Sequence, residues 1–448
     1  MPESSPSSCT PPTPPTFAEA LVVWIKIGLL SFGGPTGQIG LMHRELVETR
    51  RWISDRRFLH ALNYCMLLPG PEAQQLAIYT GWLLHRTAGA LIAGALFVLP
   101  GALLIGVISY VYVVFGDVPL IDAVFYGLKP AVLAIVAAAV IRIGRKVLRK
   151  PLMWAVSGAA FVGLFFLGLP FPVIILGALA IGILGGQWFP ALFPAKTGDT
   201  QGDGAAGKGY VIGDAGPPAC ARPTIGKTLA TAGLWSLVWL APVFAALLFL
   251  GHGHLLTEQG LFFARAALVT FGGAYAVLPY VAQQAVEAHG WISATQMIDG
   301  LGLAETTPGP LILVLQFVGF VGGWQHPETV SPIGAAVTAA LMTSWVTFVP
   351  GYLFILAGAP VVEHTRGHLR LQMALSAVTA AVVGVVLNLS VWFGMHVILP
   401  KETSADFISL ALALICFALL QRWKWDVVHV VLLGAACGVA LHFMMVSP

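Results

Sequence analysis

Lys26 and Arg265 each stand six residues ahead of a Phe-Gly-Gly, and they are the residues whose type and spacing most directly suggest chemistry in this chain. Ser31-Phe32-Gly33-Gly34 returns as Thr270-Phe271-Gly272-Gly273, Trp52-Ile53-Ser54 as Trp291-Ile292-Ser293, and Pro69-Gly70-Pro71 as Pro308-Gly309-Pro310. The differences 271 − 32, 291 − 52 and 308 − 69 all equal 239, so one unit is present twice without a gap across its motif block. The same offset pairs Lys26 with Arg265 and Glu19 with Glu258. Two cations brought to one site would suit an anion. Either could instead snorkel to an interface from near a segment end.

Pro-Gly-Pro inside an apolar segment removes backbone donors and clashes with a continuing helix, so a break is predicted at 69–71 and at 308–310. The second proline of each suits the first turn of a new helix, whose free N–H groups and partial positive charge then point at the break. Gly33-Gly34-Pro35 reads the same way, which predicts half-helix N-termini from both copies meeting around one anion. The candidate substrate-binding residues are Lys26, Ser31, Phe32, Gly33, Gly34, Pro35, Gln38, Pro69, Gly70, Pro71 and Gln74. Their second-copy companions are Arg265, Phe271, Gly272, Gly273, Thr307, Pro308, Gly309 and Pro310. Glu72 and Glu305 flank the two Pro-Gly-Pro runs at non-equivalent positions, where either could carry a proton or pair with a basic residue. Asp122 and Lys129, seven apart on one helix face, could line a cavity or find partners on other helices.

The elements that must position these groups follow from composition. With 57% hydrophobic residues, 10% charged residues and a mean hydropathy of +0.84, the chain is a polytopic membrane protein rather than a soluble domain. Apolar stretches near the 20 residues needed to span hydrocarbon occur around 87–115, 120–141, 151–168, 170–189, 229–250, 333–358, 372–396, 405–420 and 427–446. The predicted organisation is a Pro- and Ser-rich tail (1–16), an N-terminal membrane repeat (17–189) and a polar cytoplasmic linker (190–228). A connecting transmembrane helix (229–250) and a C-terminal repeat (251–448) follow. Five cysteines without CxxC or His-Cys spacing suggest neither a metal nor a redox centre, and no cofactor is expected.

Loop charge orients the copies. The 43–57 segment carries Arg44, Arg50, Arg51, Arg56 and Arg57, whereas its counterpart near 283–296 has neither Lys nor Arg. By the positive-inside rule these equivalent loops belong on opposite faces, which makes the repeats inverted. If each motif segment is a re-entrant hairpin, Arg86, the Arg142/Arg145/Lys146/Arg149/Lys150 cluster, Arg366/Arg370 and Arg422/Lys424 all fall inside. The N-terminus is then cytoplasmic and the C-terminus external. The predicted fold class is an all-α polytopic membrane protein of two inverted-topology repeats with broken, re-entrant half-helices.

Ser-Phe-Gly-Gly-Pro (31–35), Leu-Leu-Pro-Gly-Pro-Glu-Ala-Gln-Gln-Leu (67–76), Phe-Gly-Gly (271–273) with Leu278-Pro279, Gly-Trp-Ile-Ser (290–293) and Pro-Gly-Pro (308–310) together resemble the chromate transporter family in its long, two-domain form. The resemblance covers nearly the whole chain, and Glu305 departs from it, standing where many members carry Gln. It implies a secondary transporter of the inner (plasma) membrane that exports chromate and confers chromate resistance, with sulfate as a competing ion. The bilayer is the other partner, self-association is compatible with such a fold, and nucleic acid is not expected. A sulfate or other oxyanion permease, an anion channel and an intramembrane chromate reductase are the alternatives. The reductase lacks any haem, flavin or iron-sulfur ligand pattern. No Walker A loop is present either.

Overall fold

The structure, a computed structural model, describes residues 14–116, 118–188, 209–213, 224–328, 330–362, 369–399 and 405–446. Most of the predicted tail, most of the 190–228 linker, Arg366, Cys9 and Cys220 lie outside the described residues. In chain order the α-helices are α1 (Phe17–Leu30), α2 (Gly34–His43), α3 (Asp55–Cys65), α4 (Glu72–Phe115), α5 (Pro119–Val147), α6 (Pro151–Phe165), α7 (Phe171–Trp188) and α8 (Ile225–Leu250). They continue with α9 (Leu255–Val269), α10 (Ala274–Ala282), α11 (Ala294–Thr306), α12 (Val314–Gln325), α13 (Pro332–Val362), α14 (Leu369–Ile398), α15 (Phe407–Arg422) and α16 (Val427–Val446).

The sequence repeat is a structural repeat down to its irregularities. A π-helical turn occupies Arg44–Thr49 after α2 and Gln283–Ala288 after α10, again displaced by 239 at both ends. Each turn closes alike, with Trp52 N donating to Leu46 O and Trp291 N to Ala285 O, both at 2.8 Å. Ser54 and Ser293 then cap α3 and α11 through their hydroxyl oxygens. A contact on the tryptophan ring is matched as well: Arg50 lies over Trp52, and His289 stacks on Trp291. The 44–60 stretch buries Leu46, Ile53 and Phe58 in the bundle.

α4 is two helices in one, because His85 and Arg86 leave helical geometry. The second repeat separates the corresponding pieces as α12 and α13 with a loop between, so Pro100-Gly101 of α4 matches Pro350-Gly351 of α13. The helices of the break region are short. α1, α2, α3, α9, α10 and α11 have 14, 10, 11, 15, 9 and 13 residues. At 1.5 Å per residue none alone reaches across about 30 Å of hydrocarbon.

The repeats interlock. α5 packs against α15 and α16 of the other repeat, while α14 packs against α6 and α7, and α5 and α14 touch each other at the centre. Small residues permit these crossings: a β-carbon on Gly127 of α5 would lie 2.0 Å from Gly434 O of α16, and one on Gly384 of α14 would lie 2.0 Å from Ser157 O of α6. Among the described residues, six helices are long and apolar enough to cross a membrane. Their outer faces expose Leu103, Val107, Leu234, Leu248, Phe249 and Leu341, a surface that only a lipid environment accommodates. α8, which begins at Ile225, a little before the predicted 229, lies against α9 and α13 on the outside of the second repeat.

Gly127→Leu and Gly384→Leu should each destabilise the fold by about 1–3 kcal/mol through overpacking, read as a lower melting temperature of the detergent-solubilised protein. Gly158→Leu and Gly177→Leu, where nothing lies within 4 Å, should melt like the parent.

Candidate functional site

Each break frees backbone groups, and each repeat satisfies those of the other. Gly70 N donates to Thr270 O at 2.8 Å, and Gly309 N donates to Ser31 O at 2.9 Å. Because 309 − 70 and 270 − 31 both equal 239, the two bonds are one interaction made reciprocally between the copies. The glycines are required by backbone shape: Gly70 and Gly309 have φ of 111° and 98°, which a side chain would strain. Gln38 Nε2 seals the first junction, donating to Gly309 O at 2.6 Å and Ser31 O at 3.3 Å. Thus Ser31, Gly70 and Gly309, three of the candidate residues, are brought together, and Thr270 joins them.

The two breaks nevertheless present different surroundings. Phe32, Gly33 and Gly37, at the open N-terminal end of α2, line a cleft of about 770 Å³. Across it stand Ala138, Ile141, Arg142 and Arg145 of α5, with Gln421, Trp425, Asp426 and His429 from α15, α16 and their connection. Neither arginine has a hydrogen-bond or ion-pair partner among the described residues. The second break is enclosed. A β-carbon on Gly272 would lie 3.4 Å from Val382 of α14, and one on Gly273 would lie 3.8 Å from Glu72 Oε1. Beside them Tyr275 donates its hydroxyl to Glu305 Oε1, and Glu305 is buried.

The asymmetry is written into α5 and α14. Ala131, Ala134, Ala138 and Val140 of α5 align with Ala374, Ala377, Ala381 and Val383 of α14, a shift of 243, which sets Arg142 opposite a buried Val385. Only the first break therefore faces guanidinium groups.

The other predicted residues fall as follows. Lys26 is half exposed and bonds Glu45 at 2.7 Å, with Arg50 also 3.8 Å from that carboxylate. Arg265 is exposed on α9. Pro35 sits in the first turn of α2, Pro71 and Pro310 immediately precede new helical segments, and Pro69, Phe271 and Pro308 complete the junctions. Thr307 donates to Ala304 O, as Ser31 does to Ile27 O and Thr270 to Ala266 O, so these hydroxyl protons are committed to their own helices. Gln74 is buried with Nε2 on Phe348 O. Asp122 and Lys129 stand on α5, which packs against α11, where Asp299 Oδ2 accepts from Tyr112 at 3.0 Å. By sequence Arg142 and Arg145 belong to a basic loop cluster, whereas the structure keeps both within α5. The signal for them was the basic pair closing the apolar run 120–141, three residues apart and hence on one helical face.

Paired broken helices from two copies of one unit, set around a cleft, are a feature of many secondary-transporter folds, and the class that this polytopic membrane protein fits is that of the transporters. Residues 18–183 and 257–439 match the Chromate transporter family model, and the chain belongs to that family. It is 31% identical to a chromate transport protein of Pseudomonas aeruginosa over 96% of this chain and 92% of that protein. It is 29% identical to one of Cupriavidus metallidurans over 95% and 93%, and 28% identical to a probable chromate transport protein of Synechococcus elongatus over 90% and 88%. No solved structure matches it.

Gln38→Leu removes the donor from two buried carbonyls and should cost about 1–3 kcal/mol. A melting temperature equal to the parent's would show that the seal contributes nothing.

Proposed function

We propose that the chain exports chromate from the cytoplasm by alternating access, the dianion resting at the first break against Arg142 and Arg145. The observation that carries this reading is the pair of unpartnered guanidiniums facing the open end of α2 across one cleft, in a member of this family. Guanidinium forks match the oxygens of a tetrahedral oxyanion, and the free N–H groups of α2 add partial positive charge. Lys26 and Arg265 then act at the rim, drawing anions toward the site. Sulfate is the natural competitor, since size and charge alone do not separate the two ions.

An inverted arrangement of the repeats supports alternation, and loop contacts agree with it. Pro15 with His85, the 210–213 segment with Arg51, Trp52 and Ser54, and Trp425 with the Arg145 cleft join loops that charge assigns to the inside. Tyr126 with Asp406, Trp392 with Glu287, and His254 with Glu328 join loops assigned to the outside. The cleft at the basic end of α5 then opens inward, where an exporter must load.

Energetics permit this without ATP. A charge crossing the membrane potential is worth about 2.3 kcal/mol per 100 mV, so a dianion leaving a negative-inside cell gains about twice that. This is equivalent to a gradient of about a thousandfold.

Everted vesicles containing the protein should accumulate radiolabelled chromate when the potential favours exit, with saturation and counterflow. Absence of flux under that potential would overturn the reading, and non-saturating flux would make the protein a channel. Arg142→Gln should weaken chromate binding at least tenfold, as expected for loss of one charge-assisted contact of about 1.5–3 kcal/mol.

A further inference from the structure

We propose that Asp299 is a proton-binding site at the contact between the two repeats, protonated while they close on it and ionised when they part. The proposal rests on alternating access as the mode of transport. Asp299 stands on α11 of the second repeat, about two turns before the Pro-Gly-Pro break, and Tyr112 stands on α4 of the first. Tyr112 donates its hydroxyl to Asp299 Oδ2 at 3.0 Å, so the bond is a latch across the interface. Asp299 Oδ1 is buried and has no hydrogen-bond partner among the described residues.

The surroundings are apolar. Among the described aspartates Asp299 alone is buried, at 2% exposure. The Tyr112 ring is boxed edge-on by Phe125 of α5 at 4.9 Å and by Phe317 of α12 at 5.2 Å. Phe317 also presses on Gly300, leaving no room there for a β-carbon, and Gly302 lies against Leu128 and Val132. Of the elements packed on α11, α12 and the Leu311–Leu313 turn carry no ionisable side chain. On α5, Tyr126 bonds Asp406, while the side chains of Asp122 and Lys129 make no ion pair or hydrogen bond among the described residues. Arg142, Arg145 and Lys146 stand at the other end of that helix. α14 carries Arg370 in its first turn and His396, which meets Trp392 O. α16 carries His429, which lines the cleft, together with Cys437 and His442. On α4, Tyr110 is exposed, and Glu72, His85 and Arg86 belong to its first half. Asp299 forms no ion pair with any of them.

A buried charge is tolerated only when it is paired, and an ionised Asp299 would have neither a partner on Oδ1 nor an ion pair. A neutral carboxylic acid fits the site. Oδ2 is then the carbonyl oxygen that accepts from Tyr112, and the proton sits on Oδ1. The latch lies toward the end of the bundle where Tyr126 meets Asp406 and Trp392 meets Glu287, the contacts assigned to the outside, and away from the basic cleft. When the repeats part on that side, Tyr112 leaves Oδ2 and water reaches Oδ1. The O–H bond of the acid breaks, the proton passes to water, and the carboxylate left behind is solvated. Closing again takes a proton back. Closure of the outer side and protonation of Asp299 therefore favour each other equally, and a fall in outside pH favours the closed form. The offset of 239 puts His60 at the matching position of the first repeat, so the acid belongs to one side only.

The proton can be read directly. Infrared spectra of the purified full-length protein at neutral pH, with heavy carbon in the side-chain carboxyl of aspartate, should show a protonated-carboxyl band that moves with the label, which separates it from Glu72 and Glu305. Asp299→Asn should abolish the band, and Tyr112→Phe should raise its frequency because the carbonyl loses its donor. In proteoliposomes, chromate flux through the parent should vary with the pH of the outer side by up to about tenfold per unit, the limit for one proton. Asp299→Asn, which mimics the protonated acid, should flatten that profile. Absence of the labelled band from the parent, its survival in Asp299→Asn, or an unchanged pH profile in that variant would overturn the proton site while leaving export standing. Should Asp299→Asn fail to fold, the labelled band and its shift in Tyr112→Phe decide alone. A parent without chromate flux at any pH would overturn the export reading, and the band would still decide whether Asp299 holds a proton.

Discussion

A backbone broken inside a membrane must find partners within the protein, and here those partners come from the other repeat. Gly70 gives its N–H to Thr270 and Gly309 gives its N–H to Ser31. Neither bond can form within one copy. Lipid would leave those carbonyls and amides unsatisfied at a cost of several kcal/mol each, so the breaks exist only because the copies face one another. The remaining architecture serves that meeting. Short helices bring the four junctions inward, and the exchange of outer helices, α15 and α16 onto α5 and α6 and α7 onto α14, clamps the copies in register.

Reciprocity of the backbone frees the side chains to differ. The scaffold bonds are matched at 239 residues, the π-turns are matched, and even the ring contacts of Arg50 and His289 are matched. Charge is not matched. Arg142 and Arg145 line the cleft at the first break together with Asp426 and His429, whereas the second break encloses Glu72 and Glu305. A symmetric scaffold thus carries asymmetric charge.

Much of this was legible in the residues. Glycine and proline act through the backbone, so their meaning survives without coordinates: Pro35, Pro71 and Pro310 stand where new helical segments begin. The hydrophobic pattern likewise announced membrane helices, since it depends only on local composition. Long side chains were less legible. Lys26 has the spacing of a site residue, yet Glu45 lies nineteen positions later and takes it as a partner at 2.7 Å. Arg142 and Arg145 looked like loop residues because the apolar run stops at 141, while the helix continues to Val147 and presents both to the cleft.

The sequence by itself determined the duplication, the positions of the breaks and the membrane class, because these follow from offset, from φ restriction and missing donors, and from hydropathy. Tertiary structure alone decided which breaks meet and which cation faces them. Those outcomes depend on the meeting of residues as far apart as Gly70 and Thr270, or Phe32 and Arg142, and no local rule of spacing encodes a distance across an interface.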